Sequence, residues 1–86
     1  MGKLEKLRSK ILSGASDENV SFTELRKLLR RLGFEETIRG DHYILTKDGV
    51  DEIINIQPKG SKAKPYQVKK IRNLIVKYEL GEKDVD

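Results

Sequence analysis

Phe34-Glu35-Glu36-Thr37-Ile38-Arg39-Gly40-Asp41-His42-Tyr43-Ile44-Leu45-Thr46-Lys47-Asp48-Gly49 is the stretch whose reading decides the fold. It holds two strand-like runs, Phe34 to Arg39 and His42 to Thr46, divided by the turn signal Gly40-Asp41. A third run, Glu52 to Gln57, follows the break at Lys47-Asp48-Gly49. Breaks this short favour an antiparallel meander of three strands. In the third run Ile54 and Ile56 share one face, while Ile53, Asn55 and Gln57 share the other. In the second, Tyr43 and Leu45 alternate with His42 and Ile44. A slip of one residue would exchange the faces. The expectation is that Tyr43, Leu45, Ile54 and Ile56 face the core.

Helical patterns flank the strands. Before them, Ser21-Phe22-Thr23-Glu24 is a helix start in which the Ser21 hydroxyl accepts from the Glu24 amide and the Glu24 carboxylate reaches back to the Ser21 amide. Phe22, Leu25, Leu28, Leu29 and Leu32 form a wide apolar face, and Gly33 stops the helix. After the strands comes a loop, Pro58 to Lys64. Pro65 then suits the first turn of a helix whose buried stripe is Val68, Ile71, Leu74, Ile75 and Tyr78, ended by Gly81. Further upstream, Leu4, Leu7 and Ile11 recur at helical spacing between Lys3 and Ser13, with Ser13-Gly14 as the stop and Ala15 to Asn19 as a linker. The fold class is therefore α+β, two layers, with helices on one side of a three-stranded sheet. From Ser21 onward the order is α-β-β-β-α, that of double-stranded-RNA-binding-like domains. The expected organisation is an N-terminal helix and linker over 1–20, the main domain over 21–80 and a disordered tail over 81–86.

Composition narrows the function. The chain has 86 residues, no cysteine and a single histidine, His42. Disulfides, thiolate metal sites and a multi-histidine zinc site within one chain are excluded. No cofactor is indicated. No apolar run approaches the roughly 18 residues needed to cross a bilayer, and the N-terminus lacks a signal-peptide core. Cytoplasmic residence is the expectation, with no membrane partner. The net charge of +4 points to an anionic partner, nucleic acid or an acidic protein surface.

His42 is the natural candidate for chemistry. Imidazole exchanges protons near neutrality, with an unperturbed pKa of about 6.5. The residue opens a strand directly after a turn, where a side chain is easily left open to solvent. The plainer reading is a surface or packing histidine. From Lys59 to Lys70 run five lysines, Lys59, Lys62, Lys64, Lys69 and Lys70, with no acid among them. They lead into the N-terminus of the last helix, whose free amides and dipole favour anions. This corner is a candidate phosphate site, though lysine-rich loops are also common on solvated surfaces. Arg26, Lys27, Arg30 and Arg31 form a second basic patch, read as the solvent face of an amphipathic helix. Tyr66 could stack on a base or pack on the sheet, whereas Tyr43 reads as core.

Taken in order, these pieces resemble the HicA mRNA-interferase toxins, also called YcfA-like. The likeness runs from about Ser21 to Leu80. It comprises the helix Phe22 to Phe34, the Gly-x-His turn Gly40-Asp41-His42 followed by Tyr43-Ile44, the run Ile54-Asn55-Ile56-Gln57-Pro58, and Lys62-Ala63-Lys64-Pro65-Tyr66-Gln67-Val68. The resemblance implies a double-stranded-RNA-binding-like fold. It also implies membership of a type II toxin–antitoxin pair, cleavage of mRNA, and neutralisation by a HicB-type antitoxin. His42 becomes the catalytic residue, with Arg39, Gly40, Lys59, Lys62, Lys64, Lys69 and Lys70 as RNA-binding candidates and no metal.

Three departures stand out. Asp41 occupies a position that is often serine in the family, placing a carboxylate near the expected RNA phosphate. A second histidine that many members carry after the third strand is absent, so the second proton-transfer group is unassigned. The helix Lys3 to Ser13 is extra relative to short members and could serve antitoxin binding, self-association or capping of the core. Two other readings stay open: a non-catalytic RNA-binding module of the same fold, and a protein-interaction subunit.

Overall fold

A computed structural model describes residues 2–81. The elements in chain order are α1 (Lys3–Ser13), a short 3-10 turn (Asp17–Asn19), α2 (Phe22–Arg31), β1 (Glu35–Arg39), β2 (His42–Lys47), β3 (Val50–Ile56), β4 (Pro58–Lys59), β5 (Lys62–Ala63) and α3 (Pro65–Tyr78). β1, β2 and β3 form one antiparallel sheet in that order. This is the α+β, double-stranded-RNA-binding-like arrangement expected from the meander and its flanking helices.

The register places Tyr43 opposite Ile56 and Leu45 opposite Ile54. Leu45, Ile54 and Ile56 are buried, so the expected inward face is the observed one. The facing layer is built from Leu25, Leu28 and Leu29 of α2 and from Val68, Ile71, Leu74 and Ile75 of α3. Tyr43 is half-buried at the margin, where its ring meets Phe22 edge-on at 5.0 Å. Such an aromatic pair contributes about 0.5–1.5 kcal/mol beyond its buried area.

The segment Pro58 to Lys64, expected as a loop, is instead a second, two-stranded hairpin, β4 with β5. Gly60 supplies the turn with φ +63° at the first of its two central residues, a position where glycine is strain-free. The hairpin is anchored from outside itself. The Ala63 amide donates to the Val20 carbonyl at 2.9 Å, and the Phe22 amide donates to the Ser61 carbonyl at 3.0 Å. Those long-range partners have no local sequence signal.

Three other expectations change in detail. Ser21 caps α2 as expected, accepting from the Glu24 amide at 3.3 Å. The Glu24 carboxylate, however, turns to Lys3 of α1 at 2.7 Å and to Lys27 at 3.7 Å. A cation from a neighbouring helix is the stronger partner for a carboxylate than a single amide. Of the basic patch on α2, Lys27, Arg30 and Arg31 are solvent-facing, but Arg26 is not. Its guanidinium donates to both Glu36 carboxylate oxygens at 2.7 and 2.8 Å and lies 4.3 Å from the centre of the Tyr43 ring. The Arg26 hydrogen bonds hold the Glu36 carboxyl below its usual pKa, and Glu36 raises that of Arg26.

The last change concerns α3, which ends at Tyr78 rather than at Gly81. Glu79 takes the left-handed cap with φ +52°, and the Leu80 amide closes back on the Ile75 carbonyl at 3.0 Å. Burial of Leu80 holds this geometry in place despite the unfavourable side chain. Gly81 also takes left-handed backbone, at φ +81°, where a Cβ would press on the Leu32 and Arg8 side chains at 2.8 and 2.9 Å. Glu79→Gly is expected to stabilise the domain by about 0.5–1 kcal/mol, the relief of a left-handed L-residue less the added chain entropy. An unchanged or lowered urea midpoint would show that the cap carries no strain. The tail expected over 81–86 lies, from residue 82 on, outside the described residues.

One charged cluster ties the sheet to the end of α3. Glu52 of β3 accepts from Lys77 at 2.8 Å and from the Tyr78 hydroxyl at 2.6 Å. The Lys77 and Tyr78 hydrogen bonds lower the Glu52 pKa to about 2. A carboxyl depressed on folding contributes stability that is full above its unfolded pKa and is lost as pH falls towards its folded one. That window runs from an ordinary glutamate value of about 4.3 down to about 2. Glu52→Gln should flatten the acid-unfolding profile in this window, and the difference from wild type should vanish at its lower end. Parallel profiles throughout would mean the contact is without consequence.

Candidate active site

His42 is the first residue of β2, set by the hairpin turn Gly40-Asp41. Gly40 takes φ +61° and Asp41 does not, which is the pattern of a two-residue turn with glycine at its first position. Alternation then sends Tyr43 inward and His42 outward. His42 therefore stands on the open face of the sheet, opposite to the helices, with its side chain 49% exposed.

Its neighbours follow from strand register. Ile44 is opposite Asn55 and Tyr43 is opposite Ile56, so the same register carried one step further sets Gln57 against His42. Asn55 and Gln57 share the His42 face of the sheet. The Asn55 Oδ1 lies 3.2 Å from His42 Nδ1, and the Gln57 Nε2 lies 3.2 Å from His42 Nε2. Gln57 Nε2 also donates to Asp41 Oδ2 at 3.3 Å, and its Oε1 accepts from Lys64 Nζ at 3.3 Å. Asp41 itself approaches His42 Nε2 to 3.8 Å.

Gln57 is fixed from behind. The buried Gln67, in the first turn of α3, pairs with both of its main-chain groups. With its side-chain amide oriented so that both ends are matched, the Gln67 Nε2 donates to the Gln57 carbonyl at 3.2 Å, and its Oε1 accepts from the Gln57 amide at 3.1 Å. A buried amide with both ends satisfied is a rigid connector. It holds the end of β3 against the N-terminus of α3, and so holds Lys64, the residue that caps α3, near the histidine.

The candidates chosen from sequence divide accordingly. Arg39 is paired directly with His42 across the β1–β2 turn and is exposed on the same face. Gly40 shapes the turn. Lys64 is joined to His42 through Gln57. Lys59 and Lys62 face each other across the β4–β5 hairpin, with the Lys62 ammonium reaching Asn19 Oδ1 at 3.1 Å. Two like charges directly opposed are unfavourable for a hairpin, so positive charge is concentrated at its tip against the interest of stability. Lys69 and Lys70 are exposed on α3, and among the described residues no hydrogen bond or ion pair joins them to this cluster. Tyr66 is 67% exposed at the start of α3, which removes the packing alternative for it.

Sequence reasoning missed Asn55 and Gln57. The signal was present, since alternation already puts both on the outward face of the third strand and His42 on the outward face of the second. What was lacking was the pairing that superimposes those faces.

The arrangement offers a partly exposed imidazole with one ring nitrogen held by an amide oxygen, beside a lysine and the N-terminus of a helix. It can move a proton at a bound anionic group and stabilise negative charge there. Among the described residues no helix is long and apolar enough to cross a membrane.

Residues 22–77 fit the family model described as the HicA toxin of bacterial toxin–antitoxin. No curated protein and no solved structure matches the chain significantly. The matched span holds α2, all five strands and nearly all of α3, and it leaves out α1. With more than half of its length matched in this way, the chain belongs to the HicA toxin family of bacterial toxin–antitoxin systems.

Proposed function

We propose that the protein is the toxin of a type II toxin–antitoxin pair, a cytoplasmic mRNA endoribonuclease that uses His42 in acid–base catalysis and is neutralised by a HicB-type antitoxin. The observation that carries this reading is the placement of His42 on the open sheet face, linked through Gln57 to Lys64 at the head of α3.

His42 takes the proton of a ribose 2′-hydroxyl, and O2′ attacks the adjacent phosphorus. The P–O5′ bond breaks, leaving a 2′,3′-cyclic phosphate on one fragment and, with a proton taken up by O5′ from water, a 5′-hydroxyl on the other. Lys64 and the α3 amides stabilise the charge that builds on the phosphoryl oxygens. Arg39, Lys59 and Lys62 draw in the backbone on either side, with Lys69 and Lys70 adding to the field at longer range. On this reading the active unit is 21–80, with 1–20 as an addition that completes its core.

Incubating the purified protein with mRNA in the presence of a metal chelator tests the reading. Fragments ending in 2′,3′-cyclic phosphate are expected, and a 2′-deoxy nucleotide at the cleavage point should block scission there. RNA that binds with a salt-dependent affinity yet stays intact across pH 5–9 would leave only a binding module. A HicB-type antitoxin should suppress the cleavage when mixed in equal amounts.

A further inference from the structure

We propose that Asn55 and Gln57 lock neutral His42 in the tautomer that carries its proton on Nδ1, so that Nε2 is the atom that takes the 2′-hydroxyl proton. The inference rests on the ribonuclease reading for its second half alone.

The charged ends of the network fix the orientation of the Gln57 amide. Lys64 Nζ is a donor without acceptor capacity, and it lies 3.3 Å from one end of the Gln57 amide. The Asp41 carboxylate lies 3.3 Å from the other end. Only one orientation of the amide suits both, with Oε1 towards the ammonium and Nε2 towards the carboxylate. The reverse would set donor against donor and oxygen against oxygen. Gln57 Nε2 has two N–H groups, one for Asp41 and one for the ring atom 3.2 Å away, His42 Nε2. An N–H facing that atom requires it to be an acceptor. The proton of the neutral ring then sits on Nδ1, and the atom facing Nδ1 at 3.2 Å is Asn55 Oδ1, an acceptor. Each contact along Lys64–Gln57–His42–Asn55 sets a donor against an acceptor in this one arrangement.

Asn55 and Gln57 are thus positioning residues, acting through His42. The ring nitrogen held by Asn55, Nδ1, is the one nearer the main chain and is the worse placed to meet a substrate. The Gln57 N–H that covers Nε2 is half of a bond easily exchanged for a substrate hydroxyl, because Gln57 remains held by Lys64, by Asp41 and through its main chain by Gln67. Asn55 stands on β3 and Gln57 directly follows that strand, tied to α3 by Gln67, so the ring is aimed before RNA arrives.

Because His42 is the single histidine, long-range ¹⁵N–¹H correlation of its imidazole reads the tautomer without assignment ambiguity. The wild type above its titration range should show a protonated Nδ1 and an unprotonated Nε2. Asn55→Ala should shift the ring towards the Nε2–H form. Asn55→Asp, which keeps an acceptor in place, should preserve the Nδ1–H form. In RNA cleavage, Asn55→Ala should lower kcat by roughly 10- to 100-fold with little change in KM, since a ring in the wrong tautomer binds substrate but does not receive its proton. A wild-type ring found mainly as Nε2–H, or an Asn55→Ala ring unchanged in tautomer with its amide spectrum intact, overturns the lock. A locked Nδ1–H ring in a wild type that cleaves no RNA leaves the lock standing and removes the ribonuclease reading, and with it the role assigned to Nε2.

Discussion

His42→Ala is expected to remove RNA cleavage and leave the domain folded. The side chain is half exposed on the outer face of the sheet, so its loss opens no cavity in the core. Asn55 and Gln57, both towards solvent on that face, can turn their freed amides to water. Surface changes of this kind stay within about 0.5 kcal/mol. The catalytic loss should be far larger. A positioned acid–base group contributes about 10²- to 10⁴-fold, and no second histidine stands by to replace it. RNA affinity should be nearly unchanged, because Lys64, Arg39 and the hairpin lysines are untouched. Cleavage assays on purified proteins, with circular dichroism to confirm the fold, are the measurement. A folded alanine variant that cleaves within a few-fold of wild type would end the proposed mechanism. In cells the same variant should be harmless on induction, while the wild type arrests growth unless its antitoxin is present.

The second large effect concerns α1, the helix outside the family match. Ile11→Ala is expected to destabilise the whole domain by about 2–5 kcal/mol, the range for emptying a sealed aliphatic site. Ile11 is fully buried and belongs to the same core as Leu45, Ile54 and Ile71. Leu4, Leu7 and Leu12 pack on that core from the same helix. Polar ties reinforce the docking. Arg72 of α3 donates to the Ile11 carbonyl at 3.1 Å and to Asp17 at 2.9 Å, and Arg8 of α1 donates to the Leu80 carbonyl at 2.9 Å. At about 0.05–0.15 kcal/mol per residue, a domain of this size has on the order of 4–13 kcal/mol in total. A loss of 3 kcal/mol is therefore a large share and should lower Tm by about 12–24 °C. Urea titration with the slope unchanged would confirm a single cooperative unit. A midpoint shift worth less than about 1 kcal/mol would mark α1 as an appendage to an independently stable 21–80.

These two predictions differ in how visible they were. Leu4, Leu7 and Ile11 gave α1 its helical pattern, but a narrow apolar stripe on a short helix says little about what it covers. Only the structure shows that α1 meets α3 through Arg72 and the segment after α3 through Arg8. His42 was conspicuous as a type of residue and by its place after Gly40-Asp41. Its partners were not conspicuous, because Asn55 and Gln57 lie 13 and 15 residues further along the chain and read as ordinary outward-facing polar residues. Of five candidate lysines, charge alone could not single out Lys64. That choice depends on the buried Gln67 holding the end of β3 to the head of α3.

The amino-acid sequence by itself determined the periodic features: three helices, three strands, the inward face of the sheet, the caps at Ser21, Gly33 and Pro65, and a histidine at a strand entrance. These follow from forces acting over a few residues, namely side-chain alternation, helical spacing and the backbone freedom of glycine and proline. Tertiary structure alone decided the β4–β5 hairpin, the pairing of Arg26 with Glu36, the turn of Glu24 towards Lys3, and the hydrogen-bonded surroundings of His42. Each of those joins groups far apart in the chain, and which polar partner wins depends on distances and burial that exist only once the core has formed.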